Sequence, residues 1–182
     1  MKKYFLLFFL MLFNSGIKAS EKENIIQNLE NIKNLSFNFE QNIDEEKEKG
    51  KCILEYPKKI FCRYNSDNQK TLTSNGRYIV IKTIDSHYIY NIQKTPLNFI
   101  LDKNFIINKI RNAEGKIFNN ELINFGFLEK ENKINLFFNK NNYDLVGWQS
   151  VDIYQNLSIT FISSIVKNIE IDENLFKLPM QN

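Results

Sequence analysis

Leu35-Ser36-Phe37-Asn38-Phe39-Glu40 alternates apolar and polar residues without a break. Successive side chains of a strand point to opposite faces, so this stretch reads as a β-strand with Leu35, Phe37 and Phe39 on one buried face. The same period continues beyond it. Asp44 to Lys49 reads as a charged turn ending at Gly50, and Cys52 to Tyr56 and Ile60 to Tyr64 flank Pro57 as the arms of a hairpin. Asn75-Gly76, between Thr71 to Ser74 and Tyr78 to Ile81, is a strong hairpin signal because both residues tolerate the positive φ of a tight turn. Further strands are expected at Tyr88 to Ile92, Lys116 to Phe118, Leu122 to Lys130, Lys133 to Asn139, Tyr143 to Tyr154 and Leu157 to Ile165. Turns at Asp85-Ser86, Glu131-Asn132, Asn141-Asn142 and Gln155-Asn156 separate them. Strand following strand through short polar turns predicts a mainly β fold whose sheet is mostly antiparallel.

Two stretches break this period. Ile25, Ile26, Leu29 and Ile32 recur at helical spacing, which predicts an amphipathic helix from about Glu21 to Lys33, with Ser20 and Glu23 spaced as a capping box. Thr95 as N-cap and Pro96 at the first helical position should start a helix through Leu97, Ile100 and Leu101. A second short helix is expected from Asn104 to Asn108.

The first nineteen residues read as an address. Met1 to Lys3 is positive, Tyr4 to Phe13 is apolar throughout, and Asn14 to Ala19 is polar and ends in a small residue. This is the pattern of a secretory signal peptide, cleaved between Ala19 and Ser20. The apolar run is about half of the ~20 residues that a membrane-spanning helix needs. Ser20 stands where a bacterial lipoprotein would need a lipid-carrying cysteine. Residues 20–182 then form a single soluble domain in the periplasm, with no repeat, linker or internal boundary. The net charge of +3 arises from Lys2, Lys3 and Lys18, and without them 21 basic residues balance 21 acidic ones. Such a chain lacks the electrostatic footprint of a nucleic-acid binder.

Cys52 and Cys62 lie symmetrically about Pro57. If Leu54 and Ile60 close the hairpin, the two cysteines face each other across it, at a separation a disulfide accepts. A bridge is expected in an oxidising compartment, with two buried thiols as the alternative. Two cysteines and one histidine do not complete a four-ligand zinc centre. His87 is the only imidazole, and no serine or cysteine stands in a nucleophile motif. No glycine-rich phosphate loop is present either, so the chain reads as a binding protein without cofactor or metal. Its 16 Phe and 8 Tyr are abundant for a small sheet protein. They either fill a core or line a curved sheet left partly open for an apolar ligand.

The order of motifs carries a resemblance. After the N-terminal helix come Phe39-Glu40-Gln41, Gly50, Tyr56-Pro57, an aromatic strand to Tyr64, Thr73-Ser74-Asn75-Gly76 and Thr95-Pro96-Leu97. Asp152 to Asn156, Phe161 and Leu175-Phe176 before Pro179 follow late in the chain. This order resembles the LolA family of periplasmic outer-membrane lipoprotein carriers over essentially the whole mature length. The resemblance implies a half-open antiparallel β-barrel under a helical lid, enclosing a hydrophobic cavity for lipoprotein acyl chains. It implies acylated lipoproteins as cargo, an inner-membrane ABC-type lipoprotein-releasing complex as donor, an outer-membrane acceptor, and a monomeric carrier. A lipid- or lipoprotein-sensing half-barrel in signalling is the alternative, and an enzyme of envelope lipids a weaker one.

Strand parity then nominates the cavity wall. Phe37 and Phe39, Cys52, Leu54 and Tyr56, Ile60, Cys62 and Tyr64, and Ile79 and Ile81 share one face, joined by Leu97, Ile100 and Leu101 from the lid. The competing register would turn Phe61 inward. In the resembled family the loop around the motif proline engages the transporter, a role that falls here on Ile60 with Lys58 and Lys59 as its rim; packing of Ile60 in the core is the equal alternative, since one alternating strand serves either role. The family's arginine before that proline, associated with fastening the lid, is replaced by Tyr56, and a common tryptophan by Cys62.

Overall fold

The computed structural model describes residues 18–44, 46–130, 132–151 and 156–179. The expected signal peptide up to residue 17, the motif residues 152–155 and parts of the turns expected at 131 and 155 lie outside the described residues. Helix α1 (Lys18–Glu30) precedes β1 (Asn34–Ile43), β2 (Glu46–Glu55), β3 (Lys59–Tyr64), β4 (Thr71–Asn75), β5 (Tyr78–Lys82) and β6 (His87–Asn91). Helices α2 (Leu97–Ile100) and α3 (Lys103–Asn112) follow. The chain then returns to strands in β7 (Lys116–Phe118), β8 (Leu122–Glu129), β9 (Asn132–Asn139), β10 (Leu145–Val151) and β11 (Leu157–Lys167). Single 3₁₀ turns occupy Ile92–Lys94 and Glu173–Phe176.

The eleven strands form one antiparallel sheet in the order β6-β5-β4-β3-β2-β1-β11-β10-β9-β8-β7. Each strand lies beside its chain neighbour except where β1 meets β11. The sheet ends on β6 and β7, which do not pair with each other, so it is the open, mainly β architecture that the sequence implied. All three helices pack on its inner face. Ile25 and Leu29 of α1, Phe99 of α2 and Ile106 and Ile110 of α3 join Phe37, Phe125 and Phe138 in one buried core.

The Pro57 hairpin has the register that its symmetry predicts. Leu54 pairs with Ile60 and Cys52 with Cys62, and the two sulfurs are bonded at 2.03 Å. Ile60 and Cys62 are buried on the inner face, and Phe61 takes the opposite parity, so the competing register is not the one adopted. Gly76 turns the next hairpin at φ +90°, with the Asn75 side chain accepting from the amides of Arg77 and Tyr78.

Local reading failed where tertiary partners decide the outcome. The charged run after Asp44 is not a long turn, because β2 already starts at Glu46 and pairs with β1. Its charges find partners across strands: Lys49 meets Glu40 at 2.8 Å, and Glu48 meets Lys70 at 2.6 Å. The Lys49 ammonium holds the Glu40 carboxyl below its ordinary range. Helix α1 already includes Lys18, so it does not start at Ser20, and it stops at Glu30, three residues short of the expected end. There the chain turns toward β1, and the Lys33 amide donates to Asn168 instead of continuing the helix. Thr95 does not cap α2. Its hydroxyl donates back to the Ile92 carbonyl at 2.9 Å and closes the preceding 3₁₀ turn. Asp102 is the true cap of the next helix, accepting from the Phe105 amide, so α3 runs to Asn112 rather than Asn108. Tyr143, at φ +60°, still belongs to the turn before β10.

Cys52 and Cys62 are separated by ten positions. In the chain-entropy model a crosslink over so short a loop contributes about 2–3 kcal/mol. Replacing both cysteines by serine should lower the free energy of unfolding by up to that amount in denaturant titrations. Non-reducing peptide mapping should recover the crosslinked pair from protein exported to an oxidising compartment.

Candidate functional site

The helices do not fill the whole inner face. Under the β1 to β6 half lies a cavity of about 410 Å³. Leu72 of β4, Ile79 and Ile81 of β5 and Leu97 of α2 supply its apolar lining, while Trp148 and Ser150 of β10 and Ser158 of β11 supply another part. Glu48 and Lys70 also border it. A smaller void of about 70 Å³ adjoins the first, lined by Phe37, Phe39, the Cys52–Cys62 bridge, Ile60 and Thr160. Gln41, Tyr64, Leu72, Leu97 and Trp148 border both spaces, which makes them one bipartite site.

Part of the face expected from strand parity borders these two spaces. Tyr64, Ile79, Ile81 and Leu97 border the larger space, and Phe37 and Phe39 the smaller one. Leu54, Ile100 and Leu101 are buried in the core and border neither, because α2 and α3 pack directly over that end of the sheet. Tyr56 lies apart, in a surface cleft with Pro57, Asp102 and Lys103. Ile60 is 4% exposed and borders the inner void, the wall and core position that strand parity gave as the alternative to docking. Leu72 was missed although it sits directly opposite Cys62, and Trp148 although it is the only tryptophan. Gln41, Ser150, Ser158 and Thr160 gave no signal as lining residues, because polar residues of a strand are expected to face water.

Charge is confined to one side of this site. The Lys70 ammonium lies 2.6 and 2.9 Å from the two Glu48 carboxylate oxygens and 4.4 Å from the centre of the Tyr64 ring. Burial, with the nearby Glu48 carboxylate as a lesser cause, pushes the Tyr64 phenol well above the ordinary tyrosine range, so it stays neutral. Among the described residues no group of three or more His, Cys, Asp or Glu side chains is placed to hold a metal ion. Nor is any described helix long and apolar enough to cross a membrane.

A family model described as outer membrane lipoprotein carrier protein LolA matches residues 30–179. The chain belongs to the LolA family. Among solved structures, it is similar to a LolA superfamily protein from Nitrosomonas europaea, at 8% identity over 87% of this chain and 98% of that one, with a TM-score of 0.43. A putative outer membrane lipoprotein-sorting protein domain from Vibrio parahaemolyticus shares 9% identity over 87% of this chain and 97% of its own, with a TM-score of 0.46. Mycobacterium tuberculosis lipoprotein LppX shares 9% over 84% and 96%, with a TM-score of 0.45. No curated protein sequence matches the chain.

Within this LolA-family fold the helices are fastened by groups other than Tyr56. The Tyr56 hydroxyl is buried without a hydrogen-bond partner among the described residues, and burial pushes its phenol far above the usual range. Its neighbours make the connections instead. The Lys58 amide donates to the Leu101 carbonyl at 2.8 Å, and the Lys58 ammonium lies 3.1 Å from the carboxylate of Asp102, the cap of α3. Lys103 donates to the carbonyls of Ile32 at 2.7 Å and Glu30 at 3.2 Å, tying α3 to the end of α1. Lys59, expected as a docking residue beside Lys58, pairs with Glu55 at 2.6 Å.

Asp102→Ala removes both a cap and an ion-pair partner, and the cap alone is worth ~1 kcal/mol. Its thermal midpoint should fall. Tyr56→Phe removes only an unpartnered hydroxyl, so its midpoint should hold or rise. Ile60→Glu should fail to fold or lose several kcal/mol, because it buries a charge with no partner. A folded Ile60→Glu protein of ordinary stability would show that this side chain reaches the surface.

Proposed function

We infer that this LolA-family protein is a carrier that takes the acyl chains of lipoproteins into the cavity beneath β4, β5 and α2 and moves them between membranes. It acts in the periplasm after removal of residues 1–19. It accepts cargo from an ATP-driven inner-membrane complex and releases it to an acceptor at the outer membrane, working as a monomer and without catalysis. The observation that carries this reading is the apolar part of the cavity, formed by Leu72, Ile79, Ile81 and Leu97 in a chain of this family. Each methylene withdrawn from water contributes ~0.8 kcal/mol, so acyl chains do not cross an aqueous space without such a shelter. The cavity has the size of a site for one small ligand, within the ~300–1,000 Å³ usual for such pockets. Cargo bearing several chains therefore requires α2 to move, and α2 is a helix of four residues with no side-chain cap.

Mass spectrometry of the protein extracted gently from the periplasm tests this. Acylated polypeptides should accompany the unaltered chain. They should be lost from Leu97→Asp, which places a charge on the wall common to both spaces. A preparation free of acylated polypeptide, taken from cells that make lipoproteins, would overturn the carrier reading.

A further inference from the structure

Part of the cavity wall is polar, and the chain goes against its own amphipathic pattern to make it so. On β11, Leu157, Ile159 and Phe161 alternate with Ser158 and Thr160, a pattern whose simplest reading buries the apolar set. The structure does the reverse. Ser158 and Thr160 are 4% and 3% exposed, whereas Leu157 and Phe161 are 49% and 46% exposed. Ser150 pairs with Ser158 across β10 and is also buried, and Gln41 pairs with Thr160 across β1. Gln41 Nε2 donates to Ser158 Oγ at 2.8 Å. Three adjacent strands thus present a patch of hydroxyls and one amide to a space otherwise walled by Leu72, Ile79, Ile81 and Leu97. At its inner end Thr160 Oγ1 is withdrawn from water and has no hydrogen-bond partner among the described residues.

A bare hydrocarbon chain makes no use of such a patch, and a buried hydroxyl without a partner calls for one. A free carboxylate is poorly served too. The ammonium group lining the cavity that these contacts describe, Lys70, is already engaged by both oxygens of Glu48. The geometry points to an acyl ester as the ligand, with a linkage carbonyl accepting from the Thr160 hydroxyl and the chain lying along β4, β5 and Leu97. An ester carbonyl accepts and brings no donor of its own, which matches a site offering an unused hydroxyl. This rests on the carrier reading and adds to it that the site reads the linkage between chain and headgroup as well as the chain itself.

The test uses the purified protein, titrated with methyl oleate and with oleyl methyl ether, which keeps the chain and lacks the carbonyl. The fluorescence of Trp148, the single tryptophan and a wall of both spaces, reports occupancy. The ester should bind about five-fold more tightly than the ether, the worth of one net hydrogen bond. Thr160→Val, nearly the same shape without the hydroxyl, should abolish that preference by weakening the ester alone. The melting temperature of the unliganded variant should hold or rise. Equal binding of ester and ether to the unaltered protein would overturn the ester assignment and leave the carrier reading standing. So would a Thr160→Val protein that loses both lipids equally or melts several degrees lower, since Thr160 would then be structural. Binding of neither lipid would sink the carrier reading itself.

Discussion

The pairing of β1 with β11 makes one surface out of two halves. Every other neighbour in the sheet is also a neighbour in the chain and closes through a short connection, whereas this pair joins Leu35 to Lys167 and Ile43 to Ser158. Closing so long a loop costs chain entropy that local hairpins avoid. Side chains reinforce the junction at one end. Asn34 donates to the Ile169 carbonyl and accepts from the Ile169 amide, while Asn168 accepts from the Lys33 amide and donates to the Asn31 carbonyl. At the other end the same pairing sets Gln41 beside Thr160. The long-range contact that completes the fold therefore also brings together the strands that build the polar part of the cavity.

Helix length decides where that cavity lies. Over the β7 to β11 half, α1 and α3 supply thirteen and ten residues, and their buried isoleucines join Phe125, Ile134 and Phe138 in the core. Near β4 and β5 the covering element is α2, four residues long, which reaches the space with Leu97. A helix of one turn cannot fill the area that a sheet of five-residue strands presents. This mismatch leaves room for the cavity beneath α2. The polar links of Lys58 and Lys103 then hold the helices at the other end, beside the Pro57 hairpin.

What the sequence revealed was what local chemistry determines. The symmetry of Cys52 and Cys62 about Pro57 set that register, and Asn75-Gly76 marked its hairpin, because turn and pairing lie within a dozen residues. Parity found Phe37, Phe39, Ile79 and Ile81 for the same reason. The errors share the opposite cause. Asp44 to Lys49 looked like a solvated turn because Lys70, the partner of Glu48, lies 22 positions away. Ile60 stayed open between core and docking because an alternating strand does not state which of its faces is covered. Thr95 has the chemistry of an N-cap, yet the carbonyl it reaches is three residues behind it. The polar wall was illegible in principle, since β11 alone argues for the opposite face.

The inverted face of β11 is stable because the outer surface was shaped to receive it. Phe161 stacks on Phe137 with ring centres 6.2 Å apart, so part of its apolar surface is covered without entering the core. Directly across from it stands Gly147. A Cβ there would come within 3.1 Å of the Phe161 ring and 2.6 Å of the Thr160 carbonyl, so glycine makes room for the aromatic ring on the outside. A slip of one residue would exchange the faces of the whole strand. Phe161 and Ile159 would turn inward, the space beside Trp148 would fill, and Ser158 and Thr160 would go to water. The same slip would turn Ile162, buried in the core beside Thr160, out to water. The outer aromatic stack, the glycine opposite it and the Gln41–Ser158 hydrogen bond oppose it together, and what they preserve is an occupiable cavity with a polar wall.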